Sequence, residues 1–205
     1  MTKVKICGIT NIKDALVSQK SGADFLGFIF YKKSKRYVTA VAAKRIIASL
    51  NSRIHKVGVF VDEDPSIVEK IASFCGLDYL QFHGEEEPEY VAQFKKYQTI
   101  KAIRVRDYVC LDEVKAYKGS TILFDTLKQG FYGGTGKVFD WEALRPVKKV
   151  KRPFIVSGGL TVENVAELVK SFKPFAVDVA GGVEKKPGKK DHALVKEFVK
   201  TVKYL

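Results

Sequence analysis

Apolar residues recur along this chain in two alternating periods: short β-branched or aromatic runs, then segments whose apolar positions fall at helical spacing. Read as strands, the runs cover residues 4–7, 25–30, 56–61, 79–82, 99–105, 121–125, 154–157 and 176–180, eight in all. They stand about 20 to 30 residues apart, each long enough for one strand. The segments between them carry helix start signals. Asn11 precedes Ile12, Ala15 and Leu16; Thr39 precedes Ala42, Ala43, Ile46 and Ile47; Asp64-Pro65 precedes Ile67, Val68 and Ile71. Pro88 opens a stripe of Tyr90, Val91 and Phe94, and Thr161 one of Val165, Leu168 and Val169. A last stripe holds Leu194, Val195, Phe198, Val199 and Val202, whereas the segment after Phe139-Asp140-Trp141 has the weakest helical pattern.

Eight strand-helix repeats with no linker or break in composition predict an α/β fold, a single-domain (β/α)8 TIM barrel over residues 1–205. The rival is an open doubly wound sheet. Such a sheet usually carries G-x-G-x-x-G after its first strand, and Gly8-Ile9-Thr10-Asn11 does not supply it. A barrel confines chemistry to the C-terminal strand ends and the loops beyond them.

The residues at those ends are Cys7, the Ser34-Lys35-Arg36 loop, His83-Gly84, Asp125-Thr126, Gly133-Gly134-Thr135-Gly136-Lys137, Ser157-Gly158-Gly159 and Gly181-Gly182. A free cysteine is most often a small buried hydrophobe, but Cys7 closes a strand that feeds a turn, which offers it for chemistry. The glycine pairs Gly158-Gly159 and Gly181-Gly182, after the seventh and eighth strands, predict a phosphate site built from backbone amides. Cys7 and Asp125 end strands one and six. An acid and a base on either side of a phosphosugar suit an isomerase, in which one group removes a proton from carbon while another protonates the departing oxygen. Lys5, two residues before Cys7 on the same face, is placed to favour a thiolate; a buried ion pair with Asp178 is the other reading, and the two are compatible.

Composition removes several function classes. With 46% apolar and 29% charged residues and six prolines, no tract is polar enough to stay unfolded. Residues 1–5 lack the apolar core of a signal peptide and no run approaches a bilayer span, so a cytoplasmic protein with no membrane partner is expected. Cys7, Cys75 and Cys110 lie far apart with no C-x-x-C spacing, which predicts free thiols and no metal site. The net charge of +13 invites a nucleic-acid reading. The lysines are scattered, however, and the runs Lys148-Lys149-Val150-Lys151-Arg152 and 185–190 lack interleaved aromatics, so they read as solvated faces and no nucleic-acid partner is expected.

Taken in order, Lys5-Ile6-Cys7-Gly8-Ile9-Thr10, Gly22-Ala23-Asp24, 30–36, Val57-Gly58-Val59-Phe60, Gln81-Phe82-His83-Gly84, Phe124-Asp125-Thr126, 133–141, Ser157-Gly158-Gly159-Leu160, Asp178-Val179, Gly182-Val183-Glu184 and 187–191 resemble the blocks of the phosphoribosylanthranilate isomerase family of tryptophan biosynthesis. The resemblance runs nearly end to end. It implies an Amadori rearrangement of N-(5-phosphoribosyl)anthranilate to 1-(2-carboxyphenylamino)-1-deoxyribulose 5-phosphate, without metal or organic cofactor. It implies Asp125 as the general acid at the ring oxygen, Cys7 as the general base at C2, and Arg36 at the anthranilate carboxylate. His83 is left between a substrate contact and a structural hydrogen bond, and Asp178 is expected to support the site from behind. Gly134 would add backbone donors at the phosphate. Two departures stand out: Lys32 replaces a usual proline, which should loosen the Arg36 loop, and Ala180-Gly181 replaces a serine pair, leaving phosphate to backbone amides. Another phosphosugar isomerase or synthase on the same barrel and a non-enzymatic polyanion binder are the alternatives; monomer and homodimer both stay open.

Overall fold

The computed structural model describes residues 1–105, 108–125, 141–149 and 152–205. Its strands are β1 (Lys3–Cys7), β2 (Phe25–Ile29), β3 (His55–Phe60), β4 (Tyr79–Phe82), β5 (Gln98–Arg104), β6 (Thr121–Asp125), β7 (Phe154–Ser157) and β8 (Ala176–Val179). Each pairs in parallel with the next, and β8 closes on β1 with Lys5 opposite Asp178, so the eight form the expected closed barrel. Phe30, Val61, Val105 and Ala180 fall just past the observed strand ends, a shift within the fraying of any strand boundary.

Helices α1 (Ile12–Lys20), α2 (Ala40–Ile47), α3 (Pro65–Cys75), α4 (Pro88–Ala92), α5 (Leu111–Ala116), α6 (Val162–Phe172) and α7 (His192–Lys203) cover the outside. The side chains of Asn11, Thr39 and Asp64 accept from Asp14, Ala42 and Ser66 backbone amides, satisfying donors that a helix start leaves unpaired. Thr161 and Asn164 form a reciprocal capping box at α6, fixing where the chain turns after β7. The segment Trp141–Lys149 is a 3-10 helix with Pro146 inside it. A proline removes an amide donor and collides with the preceding turn, which is why no regular α-helix forms there. Three elements escaped the sequence pattern. α5 buries only Val114, too little to show a period. Beyond β8 come a 3-10 turn (Gly181–Val183) and a small antiparallel hairpin of β9 (Glu184–Lys186) and β10 (Lys189–Lys190).

Alternate residues of each strand point inward. At the N-terminal end this phase builds an apolar floor of Phe25, Val57, Ile100, Ala102, Leu123, Ile155 and Ala176. Phe25, His55 and Tyr79 close it with rings 5.2–5.5 Å apart, and the Lys3 ammonium lies 5.5 Å from the Phe25 ring centre and 5.0 Å from that of Phe175. The outward phase of the same strands, including Ile6, Leu26, Leu80, Phe124 and Val177, packs against the helices in a second, larger core. No helix among the described residues is long and apolar enough to cross a membrane.

Candidate active site

Further along the strands the inward phase changes character, from hydrocarbon to Lys5, Cys7, Gln81, His83, Asp125 and Asp178. Lys5 has no exposed surface and its Nζ lies 2.8 Å from Asp178 Oδ2, across the seam where β1 meets β8. Directly above, Cys7 is 6% exposed. Room for both comes from Gly27 on β2: a methyl group there would stand 2.6 Å from Cys7 Sγ and 3.2 Å from Lys5 Nζ. Any larger residue at position 27 would push the thiol out of place.

The electrostatics of Cys7 add burial to the pull of Lys5 that the sequence suggests. Burial pushes its thiol above the ordinary range, outweighing the downward pull of Lys5, and Asp178 adds to the rise while Lys190 opposes it. Lys5 therefore limits the rise of the thiol. Burial works to lower the Lys5 pKa too, but the Asp178 carboxylate and Cys7 hold it above the ordinary value. Lys5 lies beneath Cys7 on the same inward face and has no exposed surface. Asp178 Oδ1 is buried and has no hydrogen-bond partner among the described residues.

Across the mouth, His83 lies between two strand residues. Its Nε2 is 3.1 Å from Asp125 Oδ2 and its Nδ1 is 2.9 Å from Gln81 Nε2. His83 is thus engaged in structural hydrogen bonds and still partly exposed, as is Asp125. The loop after β4 is held by a buried pair: Glu86 accepts the Gly84 and Asp62 amides, and Lys101 Nζ donates to Glu86 Oε2 and the Gly84 carbonyl at 2.7 Å each.

Arg36 reaches in from the loop after β2. Its Nε and Nη2 donate to the Glu184 carboxylate at 2.7–3.0 Å, and these bonds, ahead of the cost of burial, hold the guanidinium above its ordinary pKa. The loop itself is tied down although Lys32 replaces a proline. Ser34 Oγ accepts from the Arg36 amide at 3.1 Å, and the Tyr31 and Ser34 carbonyls accept from Ser34 and Tyr37.

Within residues 185–190, Lys185, Lys186 and Lys189 are exposed as a solvated face requires, but Lys190 departs from that reading. Its side chain is buried, and Nζ donates to the carbonyls of Cys7 (2.6 Å) and Ala180 (3.0 Å) and to Glu184 Oε1 (2.9 Å). Burial lowers its pKa and Glu184 opposes the fall. Glu184 links Arg36 to Lys190, and together they fasten β9 and β10 over the β1 end. Sequence reasoning assigned no role to Glu184, Lys190 or Gln81. A lone acid within a basic run was the available signal for the first, and the shared phase with His83 for the last.

Gly158 and Gly159 turn the chain after β7 at φ +95° and +65°, and Asn164 Nδ2 donates to the Gly159 carbonyl. Gly181 and Gly182 open the turn after β8. The two loops touch: a methyl group on Gly182 would lie 1.9 Å from the Leu160 carbonyl oxygen, so only glycine permits the approach. Gly134 and the rest of 133–137 lie outside the described residues. Among the described residues, no three His, Cys, Asp or Glu side chains group as a metal site.

Comparison with known proteins bears on the fold and family of the chain. A crystal structure of phosphoribosyl anthranilate isomerase from Thermotoga maritima superposes with a TM-score of 0.91 at 44% identity, covering 100% of both chains. A second, of phosphoribosyl anthranilate isomerase in complex with reduced 1-(o-carboxyphenylamino)-1-deoxyribulose 5-phosphate, superposes with a TM-score of 0.88 at 41% identity, again covering 100% of both. The N-(5'-phosphoribosyl)anthranilate isomerase of Trichlorobacter lovleyi is 45% identical over 203 residues, 99% of this chain and 98% of that one. The family described as N-(5'phosphoribosyl)anthranilate (PRA) isomerase matches residues 4–201, and the chain belongs to that family.

Proposed function

We propose that the barrel mouth converts N-(5'-phosphoribosyl)anthranilate to 1-(2-carboxyphenylamino)-1-deoxyribulose 5-phosphate, with Asp125 as general acid and Cys7 as general base. The observation that carries this reading is the placement of a thiol and a carboxylate at the inward ends of β1 and β6, in a chain of this family. Asp125 gives its proton to the furanose ring oxygen as the C1–O bond breaks, and the nitrogen lone pair forms the C=N bond. Cys7, as thiolate, then takes the C2 proton. The electrons of the C–H bond become the C1=C2 bond, those of C=N return to nitrogen, and the resulting enolamine tautomerises to the ketone.

Binding follows the same geometry. The amides of Gly158, Gly159, Gly181 and Gly182 surround the phosphate, and α6 begins immediately beyond the first pair. Arg36, fixed through Nε and Nη2, turns its remaining nitrogen to the anthranilate carboxylate; among the described residues Nη1 has no partner. Three free cysteines suit a reducing cytoplasm. The test is turnover of phosphoribosylanthranilate by the purified chain, followed by loss of anthranilate-type fluorescence. Turnover abolished by Cys7→Ala and by Asp125→Asn, with product-analogue binding retained, is the expected result. A chain inert toward this substrate but active on another aminosugar phosphate would reassign the function.

A further inference from the structure

The hydrogen-bond chain from Gln81 through His83 to Asp125 has only one self-consistent assignment when Asp125 is ionised. A carboxylate only accepts, so His83 Nε2, 3.1 Å away, must carry hydrogen. In a neutral imidazole Nδ1 is then an acceptor, and Gln81 must present its amide nitrogen, as it does at 2.9 Å. Hydrogen on Nδ1 would bring two donors face to face there, so the amide favours a bare Nδ1. Gln81 is 1% exposed, and its Oε1 is buried with no partner among the described residues. The amide is oriented to satisfy the histidine at the expense of its own carbonyl.

We infer that Gln81 is a positioning residue for the acid: it locks His83 as the Nε2–H tautomer, which reserves Asp125 Oδ2 as an acceptor and puts the transferable proton of Asp125 on Oδ1. This rests on the assignment of Asp125 as the general acid. A proton on Oδ2 would oppose the Nε2–H, which excludes it from that oxygen. The arrangement is also differential. As the proton leaves Oδ1, Oδ2 gains charge and the Nε2–H bond becomes charge-assisted, so it strengthens along the reaction coordinate. Arg104, the strand neighbour of Asp125 on β5, lies 3.2 Å from Glu85. Ser157 is the neighbour on the β7 side, and it does not titrate at neutral pH. Gln81 on β4 and His83 just past its end stand two residues apart, a spacing that keeps both on the barrel interior.

The experiment is nitrogen-15 spectroscopy of the imidazoles in the full chain, with His83 assigned by loss of its signals in His83→Asn, combined with steady-state kinetics. Wild type should show His83 protonated at Nε2 and bare at Nδ1. Gln81→Glu places an acceptor at Nδ1 and should move the hydrogen there, lowering kcat roughly tenfold or more while KM stays within about twofold. Gln81→Met, of similar length but without hydrogen-bonding groups, should leave a mixture of tautomers and an intermediate kcat; it also serves if the glutamate variant fails to fold. A wild-type His83 protonated at Nδ1, or wild-type kcat in both variants, overturns the inference. A wild-type turnover that is unaffected by Asp125→Asn would instead remove the acid assignment beneath it.

Discussion

The two ends of this barrel are built from the same strands in the same inward phase, yet they follow opposite rules. At the floor, Phe25, Val57, Ile100, Leu123 and Ile155 fill the interior with hydrocarbon and satisfy nothing but packing. One or two steps further along the same strands, Lys5, Cys7, Gln81, Asp125 and Asp178 point into the same space. There two buried polar atoms, Gln81 Oε1 and Asp178 Oδ1, lack hydrogen bonds among the described residues. Folding alone favours the floor, because buried charge and unsatisfied polar atoms oppose stability. The rise of the Cys7 thiol with burial is a direct reading of that conflict. Stability and chemistry are thus separated along the strand axis, and a change at one end should leave the property of the other largely intact.

The sharpest test of that separation is at the mouth. Cys7→Ala and Asp125→Asn should each lower kcat by about 10²–10⁴-fold, the range of general acid-base contributions, with urea midpoints near wild type. Loss of stability without loss of rate would reverse the comparison. At the floor, Leu123→Ala should destabilise by about 2–5 kcal/mol on cavity grounds, while kcat per folded molecule stays near wild type. A Leu123→Ala protein that is stable but slow would deny that the floor is structural.

A subtler test lies between the two. Lys5→Met, made together with Asp178→Asn so that no buried carboxylate is stranded, removes the larger pull on Cys7 and the smaller push. The ascending limb of kcat/KM against pH should then move to higher pH, and a stationary limb would confine Lys5 to structure. The smallest effect is expected at Glu184→Gln, which weakens the grip on Arg36 and should raise KM roughly tenfold with little change in kcat. Burial works to raise the Glu184 pKa, but the Arg36 bonds and the Lys190 charge hold it below the ordinary carboxylate range. The stability it contributes is therefore full above the unfolded glutamate pKa of about 4.3 and is lost as pH falls through the lower native value. Thermal melts of wild type and Glu184→Gln should converge on acidification through that window.

Much of the molecule was legible because period and caps report on local physics. The eight strands were visible as runs bounded by turn chemistry, and Asn11, Thr39 and Asp64 marked helix starts that their side chains do cap. The meeting of Cys7, His83, Asp125 and Asp178 at one interior followed from strand ends and a period of two. Lys190 was hidden for a different reason. In a run of lysines nothing local distinguishes the one whose ammonium bonds the Cys7 and Ala180 carbonyls from those in water; the distinction comes from a hairpin folding back across the barrel. The net shift of the Cys7 thiol was hidden too. Proximity shows the sign of one interaction, whereas burial, which decides the sum, depends on the whole fold.

The seam between β1 and β8 has a consequence for when the protein becomes competent during synthesis. Lys5 finds its counter-ion 173 positions later, and the Cys7 carbonyl finds the Lys190 ammonium 183 positions later. A nascent chain that has not yet released residues 176–190 holds Lys5 without Asp178, and Arg36 without Glu184. Contacts of such separation form late, since a long loop must close before they stabilise anything. The last strand and its hairpin act as a completion signal: the Cys7 thiol gains its ordered surroundings only in a chain that has been made, and closed, through β8 and the hairpin.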